Sequence, residues 1–499
     1  MKTIIYRYVW FVVAFFAITN IGWSQQPKSP LKILFVGYDV SRPANSGSVI
    51  KKRQEFSEKD SVRMPAFKAL LQKYFAEVKT IDCRDWKVSD SNPYDVTIFD
   101  YSTRQLEPAK FGKKPDGSDD YTAARYLPDN YSKPVVFIAI TAGTMGERIG
   151  LKLDWLCECL DKDAHHVNAH HAIFTGPLEK VTPTFKMQNT PDGIYHYSTG
   201  DTVPKQIPMW EVQTAGYINT PGFRVGLVSR GNRFTDSPDA EVISSGVCQK
   251  DVGAVALGRQ GNFFLWGFSA SPLQMTDEAK KVFVNAVAYM KQFDGKTPIA
   301  RKWNEKMATT DDVKEIIASA TKEKYDEEVK TLNEFNENNK KEKKRIDDKV
   351  AAGQQLTETE KEMQPYLGTE EAIPSWDDYL KQVMGPLSSR FGTDAPAFQK
   401  YLKDNFAYLY CDPQGFFSYT VDEDAKKIGV PNHDKRFLTT CINMLQQKKD
   451  QDLAMRMLKK YTAKDFNTVG EWRNWYAKNS SKLFFTETGG YKFLVNTYN

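Results

Sequence analysis

Apolar and polar positions along this chain follow two patterns, and the change comes near residue 297. Before that point, short apolar runs bounded by polar turns alternate with amphipathic stretches. The runs predict buried strands at LKILFVGYD (31–39), EVKTIDC (77–83), YDVTIFDYS (94–102) and KPVVFIAIT (133–141). Helical spacing in MPAFKALLQKYF (64–75) predicts a helix. Because such alternation is typical of βαβ units, we expect residues 31–297 to form an α/β domain with a mostly parallel sheet flanked by helices.

The later part of this domain adds more strand patterns. We expect two single strands and then a β-hairpin at GFRVGLVSR (222–230), DAEVISSG (239–246) and VGAVALGRQGNFFLWGF (252–268). A long helix is expected over residues 276–293, and WLCECL is expected to be a short one.

Helix formers dominate the rest of the chain. Residues 298–365 carry charges of both signs and only a partial apolar stripe, so we expect a charged helical connector that acts as a solvated spacer. Residues 366–499 contain short amphipathic helices, and Trp472 and Trp475 lie one turn apart, as in a packed core. An all-α C-terminal domain is therefore expected.

The first 24 residues have the organisation of a secretory signal peptide. Lys2 and Arg7 precede an apolar run at 9–18, and this run is too short to span a membrane. A small residue follows at Ser24. We expect cleavage after Ser24 and a periplasmic or secreted mature protein. No later segment is apolar enough to predict a transmembrane segment after signal cleavage.

Composition sets limits on function. A formal net charge of +5 over 499 residues does not indicate a nucleic-acid-binding protein. Six cysteines are too few for a disulfide scaffold in a chain of this length. Cys157 and Cys159 are expected to point to different sides of a helix as free thiols, and whether Cys411 pairs with Cys441 is left open. No cofactor is predicted.

Two stretches resemble a known family. HAIFTGPLEKV (171–181) and ALGRQGNFFLWGFSASP (256–272) occur in the order found in the class I glutamine-amidotransferase-like fold and its ThuA-like branch, named for trehalose utilisation. Members of that branch carry a His-Pro-Ile-type turn, where this chain has Ala172 instead of proline. The resemblance covers roughly residues 31–295. It implies a flavodoxin-like, amidotransferase-like sheet and a carbohydrate-related role. The C-terminal stretch EWRNWYAKN is similar to secreted bacterial proteins that carry no established activity.

Amidotransferases of this class place a nucleophilic Cys at the turn from a strand into a helix. The equivalent turn here follows PVVFIAI and reads TAGTMGERIG (141–150), which contains neither Cys nor Ser. Glutamine amidotransferase activity is therefore not expected, and no catalytic residue is assigned.

Candidate ligand-binding residues follow the predicted strands, because ligands of open α/β sheets bind at the carboxyl ends of strands. These residues are Tyr38, Asp39, Arg42, Asp100, Tyr101, Thr141 and Thr144. His171 is added because it begins the ThuA-like turn. We expect this set to bind a small polar ligand such as a sugar derivative.

Four of the six histidines lie between His165 and His171. On a helix only His166 and His170 would share a face, and the glutamate of a zincin motif is missing between them. Three ligands from one heptapeptide converge poorly on a single ion, so no metal site is favoured. His166 and His170 are the residual candidates.

Three functions stay open on this basis. The first is an exported protein whose degenerate ThuA-like domain binds a small polar ligand. The second is a non-catalytic cell-envelope scaffold that binds a protein partner through its helical C-terminal domain. The third is a metal-dependent hydrolase centred on the histidine cluster. Fold alone does not choose among them, nor does it decide whether the protein is an enzyme.

Overall fold

The computed structural model describes residues 27–42, 60–113, 117, 119–154, 156–191, 203–220, 222–231, 234–248, 252–303, 307–411 and 418–498. The predicted signal peptide and its cleavage site after Ser24 lie outside the described residues. Within them, no helix combines the length and the apolar character needed to cross a membrane.

The first part of the chain is built on strands. In chain order they are β1 (Ser29–Gly37), β2 (Phe75–Asp82), β3 (Val96–Phe99), β4 (Lys110–Lys113), β5 (Asp119–Thr122), β6 (Val135–Ile138), β7 (Leu156–Leu160), β8 (Asp163–His165), β9 (Phe185–Asn189), β10 (Gln206–Glu211), β11 (Gly226–Ser229), β12 (Ala240–Gly246), β13 (Val255–Gln260) and β14 (Phe263–Trp266). The α-helices among them are α1 (Arg63–Tyr74), α2 (Thr141–Gly146), α3 (Ala172–Thr175) and α4 (Asp277–Met290).

All of these strands except the β4–β5 hairpin join one twelve-stranded sheet. Its main order is β2-β1-β3-β6-β14-β13-β12-β8-β10-β9, with β11 beside β13 and β7 beside β11. The first five strands in that order are parallel, and the other pairs are antiparallel. The expected α/β sheet with flanking helices is thus confirmed, and it is a mixed sheet.

Both faces of the parallel strands are covered, as buried parallel sheets require. On one face Phe35 of β1 stacks on Phe67 of α1 with ring centroids 4.8 Å apart, and Phe67 contacts Phe283 of α4 at 5.6 Å. The alternate strand residues point to a second apolar layer, which includes Leu34, Val36, Trp86, Tyr131 and Met145. The period-2 alternation of the strands therefore supplies both layers.

The described part of WLCECL, Leu156–Leu160, forms β7, so the predicted helix was wrong. Residues two apart on a strand point to the same side, and Cys157 and Cys159 form a disulfide with their Cα atoms 5.5 Å apart. The expectation that they stay free thiols was wrong for the same reason. Cys411 and Cys441 are both buried thiols, and no disulfide joins them.

The second part of the chain is mainly helical. Its helices are α5 (Thr310–Ser319), α6 (Lys322–Ala351), α7 (Glu358–Met363), α8 (Trp376–Met384), α9 (Ser388–Phe391), α10 (Ala395–Asn405), α11 (Glu423–Ile428), α12 (Lys435–Gln446), α13 (Gln451–Lys460) and α14 (Val469–Asn479). The expected helical C-terminal region is confirmed, but it is not all-α. It also contains two antiparallel hairpins, which pair β15 (Leu409–Cys411) with β16 (Tyr419–Val421) and β17 (Leu483–Thr486) with β18 (Lys492–Val495).

The 30-residue helix α6 forms an arm with the chain segment that returns along it. Asn336 donates to the carbonyl of Glu371 at 2.9 Å and accepts from its N–H at 2.8 Å. Asn339 donates to the carbonyl of Thr369 at 2.7 Å and accepts from the N–H of Gly368 at 3.1 Å. The two side-chain amides therefore pair with backbone N–H and carbonyl groups of the returning segment, as the backbone of a neighbouring strand does.

A buried ion pair joins the sheet domain to the hairpin β17–β18. The ammonium of Lys152 is fully buried and pairs with Asp236. Asp236 also accepts hydrogen bonds from the hydroxyl of Thr486 at 2.8 Å and from the backbone N–H of Thr488 at 2.8 Å. The C-terminal hairpin is thus bonded directly to the first domain.

Candidate functional site

The carboxyl ends of β1 and β3 form the switch point of the parallel sheet. The chain leaves β1 toward β2 on one side and leaves β3 toward β6 on the other. In doubly wound sheets, the place where neighbouring strands diverge in this way is where ligands bind. Tyr38 and Asp39 directly follow β1, and Asp100 and Tyr101 directly follow β3. Four residues predicted from the sequence are therefore brought to one place.

Asp100 is the centre of this region and is 1 % exposed. Arg63, at the start of α1, binds both carboxylate oxygens at 2.7 Å. Arg224 donates to Asp100 Oδ1 and to its backbone carbonyl, both at 2.9 Å. Burial alone would raise the pKa of Asp100, but the charges and hydrogen bonds of the two arginines lower it. The carboxylate is therefore ionised and holds two guanidinium groups in place.

A second buried carboxylate, Asp82, lies at the end of the neighbouring strand β2. Arg84 donates to its two oxygens at 2.8 and 2.6 Å. The backbone N–H of Asp39 donates to Asp82 Oδ2 at 2.9 Å, which ties the end of β1 to the end of β2. Burial would raise the pKa of Asp82, but the hydrogen bonds from Arg84 and from the backbone lower it.

The turn after β1 uses the side chains of Asp39 and Arg42 for local contacts. Asp39 accepts from the N–H of Ser41 at 3.0 Å and from its hydroxyl at 2.6 Å. Arg42 is exposed and pairs with Asp85. Both predicted residues lie at the ligand-binding edge, and both help to fix the turn.

Two aromatic rings and two arginines form a row across the switch point. The Arg84 guanidinium lies 4.5 Å from the ring centre of Tyr38, and the rings of Tyr38 and Tyr101 are 5.6 Å apart. The Arg224 guanidinium lies 5.0 Å from the ring centre of Tyr101. Tyr101 is buried and Tyr38 is half-buried, so the row begins in the core and reaches the surface at Tyr38.

The turn from β6 into α2 lies at residues 139–140, before the stretch predicted from the sequence. Ala139 has φ +50°, a backbone conformation that is strained for a residue other than glycine. A strained strand-to-helix turn is where enzymes with a nucleophile elbow carry their nucleophile. The methyl group of Ala139 supplies none.

The two predicted threonines follow this turn. Thr141 is fully buried, and its hydroxyl lies 2.7 Å from the carbonyl of Ile138 and 3.0 Å from that of Phe99. Its single proton is therefore held by backbone carbonyls. Thr144 is half-buried within α2.

The structure places His171 at the opposite edge of the sheet, where β12 begins and β13 ends. Its Nδ1 accepts from the N–H of Ile173, so its Nε2 carries the proton and donates to Glu241 at 3.3 Å. Arg259 and Tyr289 donate to the same carboxylate at 2.6 and 2.8 Å. Burial would raise the pKa of Glu241, but these hydrogen bonds and the Arg259 charge lower it to about 2. His171 caps α3 and is not brought together with Asp100 or Thr141.

The other histidines do not gather around one point. His165 is buried, and its Nδ1 lies 2.7 Å from Nδ1 of His166. His170 is exposed, and its backbone N–H donates to Asn168. In the part of the chain that the structure describes, no three His, Cys, Asp or Glu side chains are arranged to hold a metal ion.

Sequence reasoning missed the three arginines of the site. Arg84 follows a predicted strand and could have been found by the same rule as Asp39 and Asp100. Arg63 comes from a helix, and Arg224, which precedes β11, lies 124 residues beyond Asp100 in the sequence. Only the folded sheet brings those two side chains to the carboxyl edge.

Comparisons with family models, with curated proteins and with solved structures find no match to this chain.

Proposed function

We propose that this chain is an exported, non-catalytic protein whose degenerate ThuA-like domain binds a small polar ligand, such as a sugar derivative, at the switch point between β1 and β3. The observation that carries the proposal is the convergence of Tyr38, Tyr101 and Arg224 where sheets of this strand order bind ligands. Sugars are recognised by aromatic rings against their apolar faces and by N–H donors to their oxygens.

Binding without turnover is supported by the turn after β6. Ala139 occupies the strained position, and the hydroxyl of Thr141 is bonded to backbone. A covalent mechanism needs an activated nucleophile beside a base, and neither of these residues supplies one.

The test is ligand-induced stabilisation of the chain from residue 25 onward, measured by thermal shift and then by calorimetry. The panel contains neutral monosaccharides, disaccharides and sugar acids. We expect at least one class to raise Tm in wild type, and Tyr38→Ala to abolish the rise because it removes the ring at the mouth of the site.

The matched control is Tyr366→Ala, since Tyr366 is 77 % exposed on the arm and far along the chain from the switch point. This variant should respond to the ligand as wild type does. The proposal fails if no compound stabilises the protein, or if Tyr38→Ala binds as tightly as wild type.

A scaffold role is the second candidate, and the arm favours it. Phe335 and Tyr366 are 50 % and 77 % exposed there, and exposed large apolar side chains favour binding of a protein partner. Cross-linking in a cell-envelope fraction would test it. A partner lost in the double variant Phe335→Ser/Tyr366→Ser, together with no response to sugars, would favour the scaffold.

A further inference from the structure

We infer that the ligand at the switch point carries a carboxylate, as a uronic acid does, and that Arg224 binds that carboxylate. The inference rests on the proposed function and names the chemical class of its ligand. Its basis is the hydrogen-bonding capacity and the charge of Arg224.

Arg224 has donors to spare. A guanidinium group carries five N–H donors, and Arg224 uses two of them, on Asp100 Oδ1 and on the Asp100 carbonyl. The remaining N–H groups have no acceptor among the described residues. The side chain is 12 % exposed, so it lies near the surface and is not sealed in the core.

The charge of Arg224 is only partly compensated. Among the described residues its one ion-pair partner is Asp100, and both oxygens of that carboxylate are already bound by Arg63 at 2.7 Å. Arg224 therefore shares the carboxylate of Asp100 with a second guanidinium group. A carboxylate of the ligand would form a second ion pair with Arg224. Because Arg224 is mostly buried, that charge interaction would be strong.

The aromatic row places this charge beside a stacking surface. The Arg224 guanidinium is 5.0 Å from the ring centre of Tyr101, and the Tyr38 ring follows at 5.6 Å. A uronic acid combines a sugar ring with a carboxylate. The ring would lie against the aromatic row while the carboxylate binds Arg224.

A carboxylate fits this place better than a phosphate does. The planar fork of an arginine matches the two oxygens of a carboxylate. The ionised Asp82 and Asp100 lie at the same edge, and Asp39 is beside them. These carboxylates would repel a doubly charged phosphate more strongly than a singly charged acid.

The experiment compares matched sugars on the wild-type protein by calorimetry. The pairs are glucose with glucuronate and galactose with galacturonate, and glucose 6-phosphate forms a third arm. We expect a uronate to bind about tenfold or more tightly than its neutral partner, since a charge-assisted hydrogen bond contributes at least that factor. Its affinity should also fall as salt is raised.

Arg224→Gln should weaken uronate binding much more than it weakens binding of the neutral sugar, so that the two affinities become similar. Arg345→Gln is the control, because it removes an exposed arginine from the arm. The wild-type comparison does not depend on whether either variant folds.

The outcomes separate the two proposals. Equal binding of acid and neutral sugar, or tighter binding of the phosphate, overturns the carboxylate inference and leaves the sugar-binding function standing. Absence of binding by every sugar in all three arms overturns both.

Discussion

Burial sets the protonation of His165. The side chain is fully buried, and its Nε2 has no hydrogen-bond partner among the residues that the structure describes. Burial and the neighbouring His166 lower the pKa of His165 to about 4, against 6.5 for an ordinary histidine. Below about pH 6.5 the unfolded chain takes up a proton that the folded chain refuses. The stability that His165 contributes is therefore complete above that pH and is lost as pH falls toward 4.

We predict that His165→Gln reduces the loss of stability between pH 6.5 and pH 4. The wild-type free energy of unfolding should fall in that window by up to about 3 kcal/mol more than that of the variant. Urea unfolding at pH 7, 6, 5 and 4 measures it. The exposed His170→Gln is the control and should follow wild type. Parallel curves for wild type and His165→Gln would refute the prediction.

The site residues show how far single positions can be predicted. Asp100 and Tyr101 were placed by the rule that ligands meet the carboxyl ends of strands, and the structure brings them to the switch point. His171 was placed by resemblance alone. It lies at the other edge because β8 and β12 run antiparallel to each other, and a local motif does not reveal strand direction.

At the scale of elements, the arm is held by side chains that bond to backbone. Asn336 and Asn339 are one helical turn apart, so both face the returning segment. Each side chain binds one N–H and one carbonyl of that segment. The side-chain amides of Asn336 and Asn339 therefore hold the returning segment against α6.

We predict that Asn336→Ala weakens the attachment of the returning segment to α6 without unfolding that helix. Amide exchange at Glu371, whose N–H is bonded to Asn336, should become about fivefold faster, as expected for a hydrogen bond of about 1 kcal/mol. Hydrogen-exchange mass spectrometry over residues 367–375 measures it. Asn338→Ala removes an exposed amide from the same helix and should change nothing. Unchanged exchange in Asn336→Ala would disprove the role.

Helices and strands were predictable where the pattern was long. The 12-residue α1 and the 14-residue α4 follow clear helical spacing, and both formed where expected. The short runs that form β7 and β17 contain too few residues for their hydrophobic period to distinguish a helix from a strand. They are strands because they pair with β11 and β18, and such pairing is a property of the folded chain.

At the scale of the whole molecule, a buried contact at Asp236 couples the sheet domain to the helical second part of the chain. Lys152 comes from the first domain and is 0 % exposed, and its partner Asp236 also holds Thr486 and Thr488 of the C-terminal hairpin. A buried ammonium group that loses its partner is strongly destabilising.

We therefore predict that Asp236→Asn separates the unfolding of the two parts. Calorimetry should show two transitions where wild type shows one, with a total loss of about 3 kcal/mol in the free energy of unfolding. Arg230→Gln is the control. It removes an exposed guanidinium group that lies 4.0 Å from the buried Asp312, and it should cost less than about 1 kcal/mol. A single transition of wild-type stability in Asp236→Asn would contradict the coupling.

The order of the two parts was predictable from composition, but their contact was not. The change of pattern near residue 297 separates a strand-rich half from a helix-rich half. The bond between Asp236 and Thr488 joins positions 252 residues apart, and no local pattern encodes it.

The chain also closes on itself at its other end. The hydroxyl of Tyr498 donates to the carbonyl of Thr297 at 3.0 Å, and its ring lies 6.5 Å from that of Phe293. The stretch from residue 298 to residue 497 thus begins and ends on the first domain, and the bonds of Asp236 to Thr486 and Thr488 attach it a third time. The position of its last residues is therefore set by the first domain and not by the length of the arm that lies between.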